Sequence, residues 1–356
     1  MKIKYRLIIT TLLLNFGLIC QFTLPVSANS LPSKPLIQFK KSISLGLPIQ
    51  CQINTNCWIM NYVDFNHDDG QKTDPNCNKR TYDTHKGTDF ALLDEQAMIK
   101  GVPVLSTMDG IVVRFRDGEP DNWKTDDDIE QIKQQRKECG NAILIDNLDG
   151  NKSIYCHLRQ NSINVKQGQR VKRGDKIGLV GMSGMTQFPH LHYGLIQNNQ
   201  VVDPFTGKNA SQKCGLESPK PLWDEDLMLT YSPVTIKALG FTNNVPSLDS
   251  LGKNASSIDK LTLQDNKIVF WSILLGVRVD DQITLTITDP NNKVFSEQNI
   301  TQDKDRARQL YFIGKNLKTT KLIEGAYTGK ITITRQTENA PEIKDFKLNT
   351  ILVTSQ

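Results

Sequence analysis

The sequence has no pair of cysteines separated by two residues, and this absence argues against two common kinds of site. Such a pair is typical of cysteine-bound zinc and of thioredoxin-type redox centres. Seven cysteines are present, and Cys20 lies in an N-terminal segment that we expect to be removed. An even number of cysteines remains, which in an exported chain indicates disulfides, although the sequence does not choose their pairing. These are Cys51, Cys57, Cys77, Cys139, Cys156 and Cys214.

The chain also lacks a concentration of positive charge. Its formal net charge is +5, and three of these charges, on Lys2, Lys4 and Arg6, lie in the same N-terminal segment. Without them the net charge is near +2, which says little about partners. Binding of nucleic acid would require a concentrated basic face, so we expect no nucleic-acid partner.

An apolar run of signal-peptide type occurs only at the N-terminus. Residues 7–24 are mainly apolar and follow the three cations, and small residues then lead to Ala28. This pattern predicts a signal peptide over residues 1–28, cleaved after Ala28. A membrane anchor or a lipid on Cys20 are alternatives, but Asn15 and Gln21 interrupt the run, and the residue before Cys20 is large. We expect a periplasmic or secreted protein without a stable membrane span after cleavage.

The length of 356 residues suggests two domains. Residues 29–42 form a short lead. A glycine-rich region follows over 43–212 and holds every histidine. Several prolines and lysines over 213–234 indicate a linker, and β-type runs fill 235–356. The sequence does not indicate an oligomeric state.

The glycine-rich region is predicted to consist mainly of strands. Short β-branched runs occur at 102–106, 110–114, 142–146 and 153–158. The turn between the last two, at 147–150, contains Asp-Gly and favours a hairpin. Small and aliphatic residues then recur every three positions from Val165 to Ile177. That recurrence also fits a lipoyl- or biotinyl-type domain, but no lysine that could carry such a group stands clearly at a hairpin tip.

An acidic segment at about 117–138 interrupts these strands. It contains few large apolar residues, and a short helix is predicted near 129–137. We interpret it as a solvated surface insertion, with a calcium-binding or substrate-gating loop as the alternative.

A second acidic loop, 64–70, resembles a calcium-binding loop only superficially. Asp69 occupies the position at which an EF-hand needs glycine, and Pro75 stands in place of its final glutamate. We therefore predict no calcium site here. His67 shares no motif and is interpreted as a polar loop residue.

The C-terminal region alternates apolar and polar residues over 282–288, as expected for a strand with one buried face. Further runs at 267–273, 309–313, 329–334 and 346–353 predict a small antiparallel sandwich. Since this region contains no histidine or cysteine, we assign it no chemistry.

Four histidines fall within patterned segments. His85 and Asp89 stand four residues apart, and His190 and His192 stand two apart, so that on a strand these last two share a face. His157 ends the second strand of the predicted hairpin. Catalytic zinc typically has three nitrogen or oxygen ligands and one open position for water, and this set can supply them.

Together these motifs resemble the lysostaphin-type M23 metallopeptidases. The resemblance rests on His85-x-x-x-Asp89, on Tyr-Cys-His157-Leu, on the glycine-rich 181–192 with Pro-His-Leu-His at its end, and on Val-Asp-Pro at 202–204. It implies an all-β chain, with an antiparallel catalytic sheet carrying a groove, followed by a β-sandwich-like domain.

The resemblance also implies roles for individual residues. One zinc ion per chain would bind His85, Asp89 and His192, and His157 and His190 would form the catalytic pair. The implied substrate is peptidoglycan, cut in its stem peptides or bridges. Two alternatives stay open: a non-catalytic member that binds cell wall or regulates an amidase, and a protease acting on secreted proteins.

One position departs from the family. Cys156 stands where a small residue such as alanine is common. On a regular strand its side chain would point away from the groove that holds His157, so we expect a disulfide or a buried thiol and not a catalytic role.

Overall fold

The computed structural model describes residues 43–148, 150–215, 220–317, 321–336 and 341–354, with backbone alone over 341–348. The predicted signal peptide and lead segment lie outside the described residues. Within the described part of the chain, no helix combines the length and apolarity that a membrane span requires.

The first part of the chain forms an eight-stranded sheet and a two-stranded one. Seven of the strands pair in the order β1-β2-β9-β6-β5-β4-β7. The eighth, β10, pairs with residues 195–197 of β9, beyond the segment that pairs with β2. All of these pairings are antiparallel. β3 and β8 form the small sheet. The strands are β1 Cys57–Asn61, β2 Thr88–Leu92, β3 Pro103–Leu105, β4 Gly110–Arg116, β5 Asn141–Asp146, β6 Asn151–Leu158, β7 Arg170–Val171, β8 Lys176–Leu179, β9 His190–Gln197 and β10 Gln200–Val202.

The two faces of the central strands have different chemistry. Phe90 of β2 pairs with Leu191 of β9, and Tyr193 of β9 pairs with Tyr155 of β6; all four are buried in the main core. Because successive side chains of a strand point to opposite faces, the intervening residues lie on the other face. That face of β2 and β9 carries the predicted metal ligands.

Among the described residues, three helices and one 3-10 turn connect the strands. α1 is Glu95–Lys100, α2 is Asp126–Gln134, α3 is Leu248–Lys253, and the 3-10 turn is Glu225–Leu227. The helix predicted in the acidic insertion is present, but it begins earlier, because Thr125 caps it and Asp128 completes the cap. α2 buries none of its residues, in keeping with a solvated insertion.

The C-terminal region forms two sheets, ordered β11-β13-β16 and β12-β18-β17-β14-β15. Apolar residues of both sheets, such as Phe270 and Leu285, share one core, so the predicted sandwich is confirmed. One of its pairs, β12 with β18, is parallel. The strands are β11 Thr235–Thr242, β12 Lys260–Thr262, β13 Lys267–Val277, β14 Gln282–Thr288, β15 Val294–Thr301, β16 Arg306–Asn316, β17 Gly325–Gln336 and β18 Pro341–Thr354.

The sandwich packs against the face of the first sheet that carries the histidines. Trp58 and Ala91 of the first sheet share an apolar cluster with Trp271 and Leu275 of β13. The buried guanidinium of Arg80 donates on both sides of this contact, to the backbone oxygen of Met60 in β1 and to Thr235 Oγ1 in β11. The two sheets are therefore held together by apolar burial and by a buried arginine. The predicted domain limits at 212 and 234 stay predictions.

The six remaining cysteines form three disulfides, Cys51–Cys57, Cys77–Cys214 and Cys139–Cys156. The expectation of disulfides is confirmed. The second one joins residues 137 positions apart in sequence.

Candidate metal centre

Three side chains converge at the middle of the first sheet. Asp89 of β2 lies directly opposite His192 of β9, and its Oδ1 is 2.9 Å from His192 Nδ1. His85, just before β2, places Nε2 at 3.0 Å from each of these two atoms. His85 and Asp89 are almost fully buried, and the side chain of His192 is 13% exposed. These three residues form a group whose ligand atoms fit a metal ion.

The protonation of His85 makes this group suited to a cation. Its Nδ1 lies 2.7 Å from the backbone oxygen of Tyr62, and since a carbonyl only accepts, Nδ1 carries the proton. In the neutral ring Nε2 then presents a lone pair to Asp89 and His192. A single proton could form a hydrogen bond between only two of these three ligand atoms, whereas a divalent cation interacts with all three. A histidine that donates its second nitrogen to a carbonyl is the usual arrangement of a metal ligand.

Asn61, at the end of β1, supports the carboxylate from behind. Its Nδ2 donates to Asp89 Oδ2 over 2.8 Å, which leaves Oδ1 directed at the two imidazoles. Burial by itself raises the pKa of Asp89, but nearby His85 and His190 and the contacts from His192 outweigh it and lower the pKa well below its usual range. The carboxyl group is therefore ionised, as a metal ligand must be.

Gly87 allows His192 to approach. A Cβ at this position would lie 2.6 Å from His192 Nε2 and 2.5 Å from the Tyr193 backbone oxygen, which is closer than atoms can approach. The glycine between His85 and Asp89 is thus required by the neighbouring strand.

His157 reaches the same face through a β-bulge. Asn141 pairs with Leu158 and Ile143 with Tyr155, so that two residues of β6 oppose one of β5. His157 is the additional residue, and its φ of 61° lies in the left-handed region that non-glycine residues rarely adopt. Its backbone N–H donates to the Cys139 oxygen over 2.9 Å.

The bulge also changes the expected position of Cys156. This residue lies opposite His192, and opposed residues of antiparallel strands share a face. The expectation that its side chain points away from the groove is therefore wrong, because the regular alternation on which it rested is interrupted at His157. The disulfide expected for Cys156 is confirmed, with Cys139 as partner.

His157 and His190 form a second pair beside the first group. Their ring centroids are 4.6 Å apart. His157 Nδ1 donates to the Ser183 oxygen and His190 Nδ1 to the Phe188 oxygen, each over 2.9 Å, so Nε2 of each ring is the free base.

The environment keeps both of these imidazoles neutral. Burial lowers the pKa of His157 well below its usual range, and the neighbouring His190 and His192 add to the effect. Burial also lowers the pKa of His190, against the opposing influence of Asp89. His190 Nε2 lies 3.8 Å from Asp89 Oδ1, so the pair adjoins the ligand group.

The structure thus brings together all five residues singled out from the sequence, and His67 lies elsewhere, bonded to the Ala210 oxygen at 2.9 Å. Sequence reasoning missed the supporting roles of Asn61, Tyr62, Ser183 and Phe188. Three of these residues act through backbone oxygens, which leave no signature in the residue type. Asn61 lies 28 positions before Asp89 and belongs to no motif.

A β-sheet with a buried His-Asp-His group and two neutral imidazoles beside it is typical of a metal-dependent hydrolase. Residues 83–204 match the model of Peptidase family M23. The predicted resemblance is thereby confirmed over a segment that includes all five residues.

Curated relatives match part of the chain. The peptidoglycan DD-endopeptidase ShyB of Vibrio cholerae is 35% identical over 119 residues, which are 33% of this chain and 22% of that protein. An uncharacterized metalloprotease of Haemophilus influenzae is 30% identical over 134 residues, or 38% of this chain and 23% of that protein. The alignments thus span less than a quarter of the length of these relatives.

Matches among the solved structures are also partial. A zinc-containing peptidase from Vibrio cholerae is 30% identical, with coverage of 44% of this chain and 39% of that one and a TM-score of 0.26. The catalytic domain of lysostaphin from Staphylococcus simulans is 26% identical, with coverage of 38% and 85% and a TM-score of 0.25.

Proposed function

We propose that the protein is a zinc-dependent endopeptidase that hydrolyses peptide cross-links of bacterial peptidoglycan. The observation that carries this proposal is the convergence of His85 Nε2, Asp89 Oδ1 and His192 Nδ1 within 3.0 Å of one another. The family match supports a hydrolase. Relatives named as peptidoglycan DD-endopeptidases support the substrate class.

In this proposal His85, Asp89 and His192 hold one zinc ion per chain. When bound, zinc supplies an acidified water molecule and polarises the carbonyl of the scissile bond. Two imidazoles and a carboxylate form a donor set of the type found in catalytic zinc sites, and they leave a position for water.

His157 and His190 act as the catalytic pair. Each directs a basic Nε2 to the site because its Nδ1 is bonded to a backbone oxygen. A neutral imidazole can accept the proton that water loses and return it to the leaving amine. Once protonated, it also donates to the oxygen on which negative charge develops. Burial lowers the pKa of both rings, which keeps them in the proton-accepting form at neutral pH.

We further propose that the protein acts outside the cytoplasm, in the periplasm or as a secreted protein. Three disulfides support this location, because disulfides persist in oxidising compartments.

The proposal is tested on the full chain purified without added metal. We expect about one zinc ion per chain by elemental analysis, and soluble muropeptides when purified peptidoglycan is digested, with the cleaved bond identified by mass spectrometry. Chelation should abolish the products and added zinc should restore them. Protein that lacks stoichiometric zinc would overturn the metal assignment. Binding of peptidoglycan without products would favour the non-catalytic alternative, and cleavage of proteins alone would favour the secreted-protein alternative.

A further inference from the structure

Residues of the sandwich border a cavity beside the candidate site. This cavity has a volume of about 740 Å³, and its border includes Asp89 and His190 of the site and Arg306 and Arg308 of β16. Residues of α2, including Ile129, form part of the border. A region to which the sequence assigned no chemistry therefore borders the same cavity as His190.

Arg308 is connected to His190 through a single aromatic ring. The guanidinium carbon of Arg308 lies 4.9 Å from the centroid of the Phe188 ring, and that ring lies 4.6 Å from the imidazole of His190. An extended peptide advances about 3.3 Å per residue. The guanidinium is therefore within reach of a substrate group about three residues from the bond that is cut.

The guanidinium of Arg308 has no carboxylate partner among the described residues. Its contact within the described chain is the cation–π contact with Phe188, and it makes neither a hydrogen bond nor an ion pair there. Burial lowers the pKa of Arg308, while the charge of Asp249 raises it. An arginine stays charged in proteins, so a partly desolvated cation with free donors borders the cavity.

The other charged groups of the cavity do not cancel this charge. Apart from Asp89, which belongs to the ligand group, the cavity is bordered by two acidic side chains and four basic ones. They are Asp126 and Asp305, and Lys72, Lys133, Arg306 and Arg308. The cavity is thus suited to an anion, and the planar guanidinium in particular to a carboxylate, which it can bind through two parallel hydrogen bonds.

We propose that Arg308 is a specificity-determining residue that binds a free carboxylate of the peptide substrate, about three residues from the scissile bond. This inference rests on the proposed peptidase function. It names the substrate class more closely, as peptides that carry a free carboxylate at this distance. The carboxylate can belong to the C-terminus of the peptide or to an acidic side chain.

The test measures binding by calorimetry with the full chain as purified. The probe is a stem tetrapeptide, which represents a product of endopeptidase cleavage, in three forms: unmodified, with a C-terminal amide, and with its glutamate carboxylate amidated. We expect one of the amidated forms to bind at least about tenfold more weakly than the unmodified peptide, because a charge-assisted hydrogen bond is lost. The amidated form that binds more weakly identifies which carboxylate of the peptide Arg308 binds.

Arg308→Gln should bind the unmodified peptide as weakly as that amidated form and should no longer discriminate between the two. Arg308→Lys keeps the charge but loses the planar guanidinium. It should recover part of the difference in affinity between the unmodified and the amidated peptide. Arg170→Gln, which removes an arginine charge from the exposed strand β7 outside this cavity, is the matched control and should keep the discrimination. Equal binding of all three peptides by the native chain, or discrimination retained in Arg308→Gln, would overturn the inference.

Cleavage is followed separately with acidic and amidated cross-linked peptides. If Arg308 only supports Phe188 and His190, Arg308→Gln slows cleavage of both substrates equally, and the inference falls while the peptidase proposal stands. If binding depends on Arg308 but no peptide is cut, the peptidase proposal falls and the carboxylate site stands.

Discussion

Asp89 and His192 oppose each other on neighbouring antiparallel strands, with 2.9 Å between their ligand atoms. Their proximity is therefore a consequence of strand register. A slip of one residue in β9 would turn His192 to the opposite face of the sheet, because side chains alternate along a strand. The buried residues Leu191 and Tyr193 on the core face oppose such a slip. The hydrophobic core thus maintains the geometry of the candidate metal centre.

The two histidines of β9 should respond differently to mutation. His192→Ala removes a proposed ligand, and we expect both zinc and activity to be lost. His190→Ala removes a proton acceptor, and we expect zinc to stay while activity falls about 10²- to 10⁴-fold. Elemental analysis and a peptidoglycan digestion assay measure the two quantities. His67→Ala, outside the site, is the control and should change neither. Loss of zinc from His190→Ala would contradict the assignment of its role.

Asn61 should determine metal affinity without binding the metal. Asn61→Ala removes the donor to Asp89 Oδ2, so the carboxylate is less well oriented. Residues that orient a ligand typically contribute 10- to 100-fold to affinity, and we expect a loss of about this size. Competition with a chelator of known affinity measures it. Asn243→Ala, an exposed change in the sandwich, should leave the zinc affinity unchanged. An unaltered affinity in Asn61→Ala would show that Asp89 is oriented by other contacts.

The Cys139–Cys156 disulfide should affect activity as well as stability. Its removal by serine at both positions frees a loop of 17 residues and should cost about 3 kcal/mol of unfolding free energy. Because the Cys139 oxygen also accepts from the N–H of His157, we expect the activity of the folded enzyme to fall as well.

The Cys51–Cys57 disulfide is the comparison. It closes a loop of 6 residues, and its removal should cost about 2 kcal/mol while the activity of folded protein stays the same. Urea unfolding and digestion rates at a temperature where both variants are folded distinguish the effects. Equal activity in the two variants would show that the first disulfide does not position His157.

Asp203 should make stability depend on pH. Burial raises its pKa from 3.8 to about 7, so between about pH 4 and 7 the folded state holds a proton that the unfolded state releases. The unfolding free energy of the native chain should therefore fall as pH rises through this window, by at most about 4 kcal/mol from this residue. Asp203→Asn removes the titration and should show a smaller fall. Urea titrations at several pH values measure the difference, and identical pH dependence in both proteins would refute the prediction.

The sequence by itself determined the kinds of group at the site and much of the secondary structure. His85 and Asp89 were recognisable by their spacing and order, and His190 and His192 by the alternation of a strand, which is a local property of the backbone. The strands over 142–146 and 153–158 and the sandwich followed from short apolar runs for the same reason. The sandwich strand β15, mostly exposed, showed no such pattern and was missed.

Only the tertiary structure decided which distant groups meet. The pairing of the six cysteines, the support of Asp89 by Asn61 and the bulge at His157 depend on contacts between segments far apart in sequence. So does the position of Arg308, more than 100 residues beyond the last histidine, in the cavity beside His190. Such contacts are selected by the packing of whole sheets, through the apolar cluster that joins Trp58 to Trp271, and no local pattern of residues encodes them.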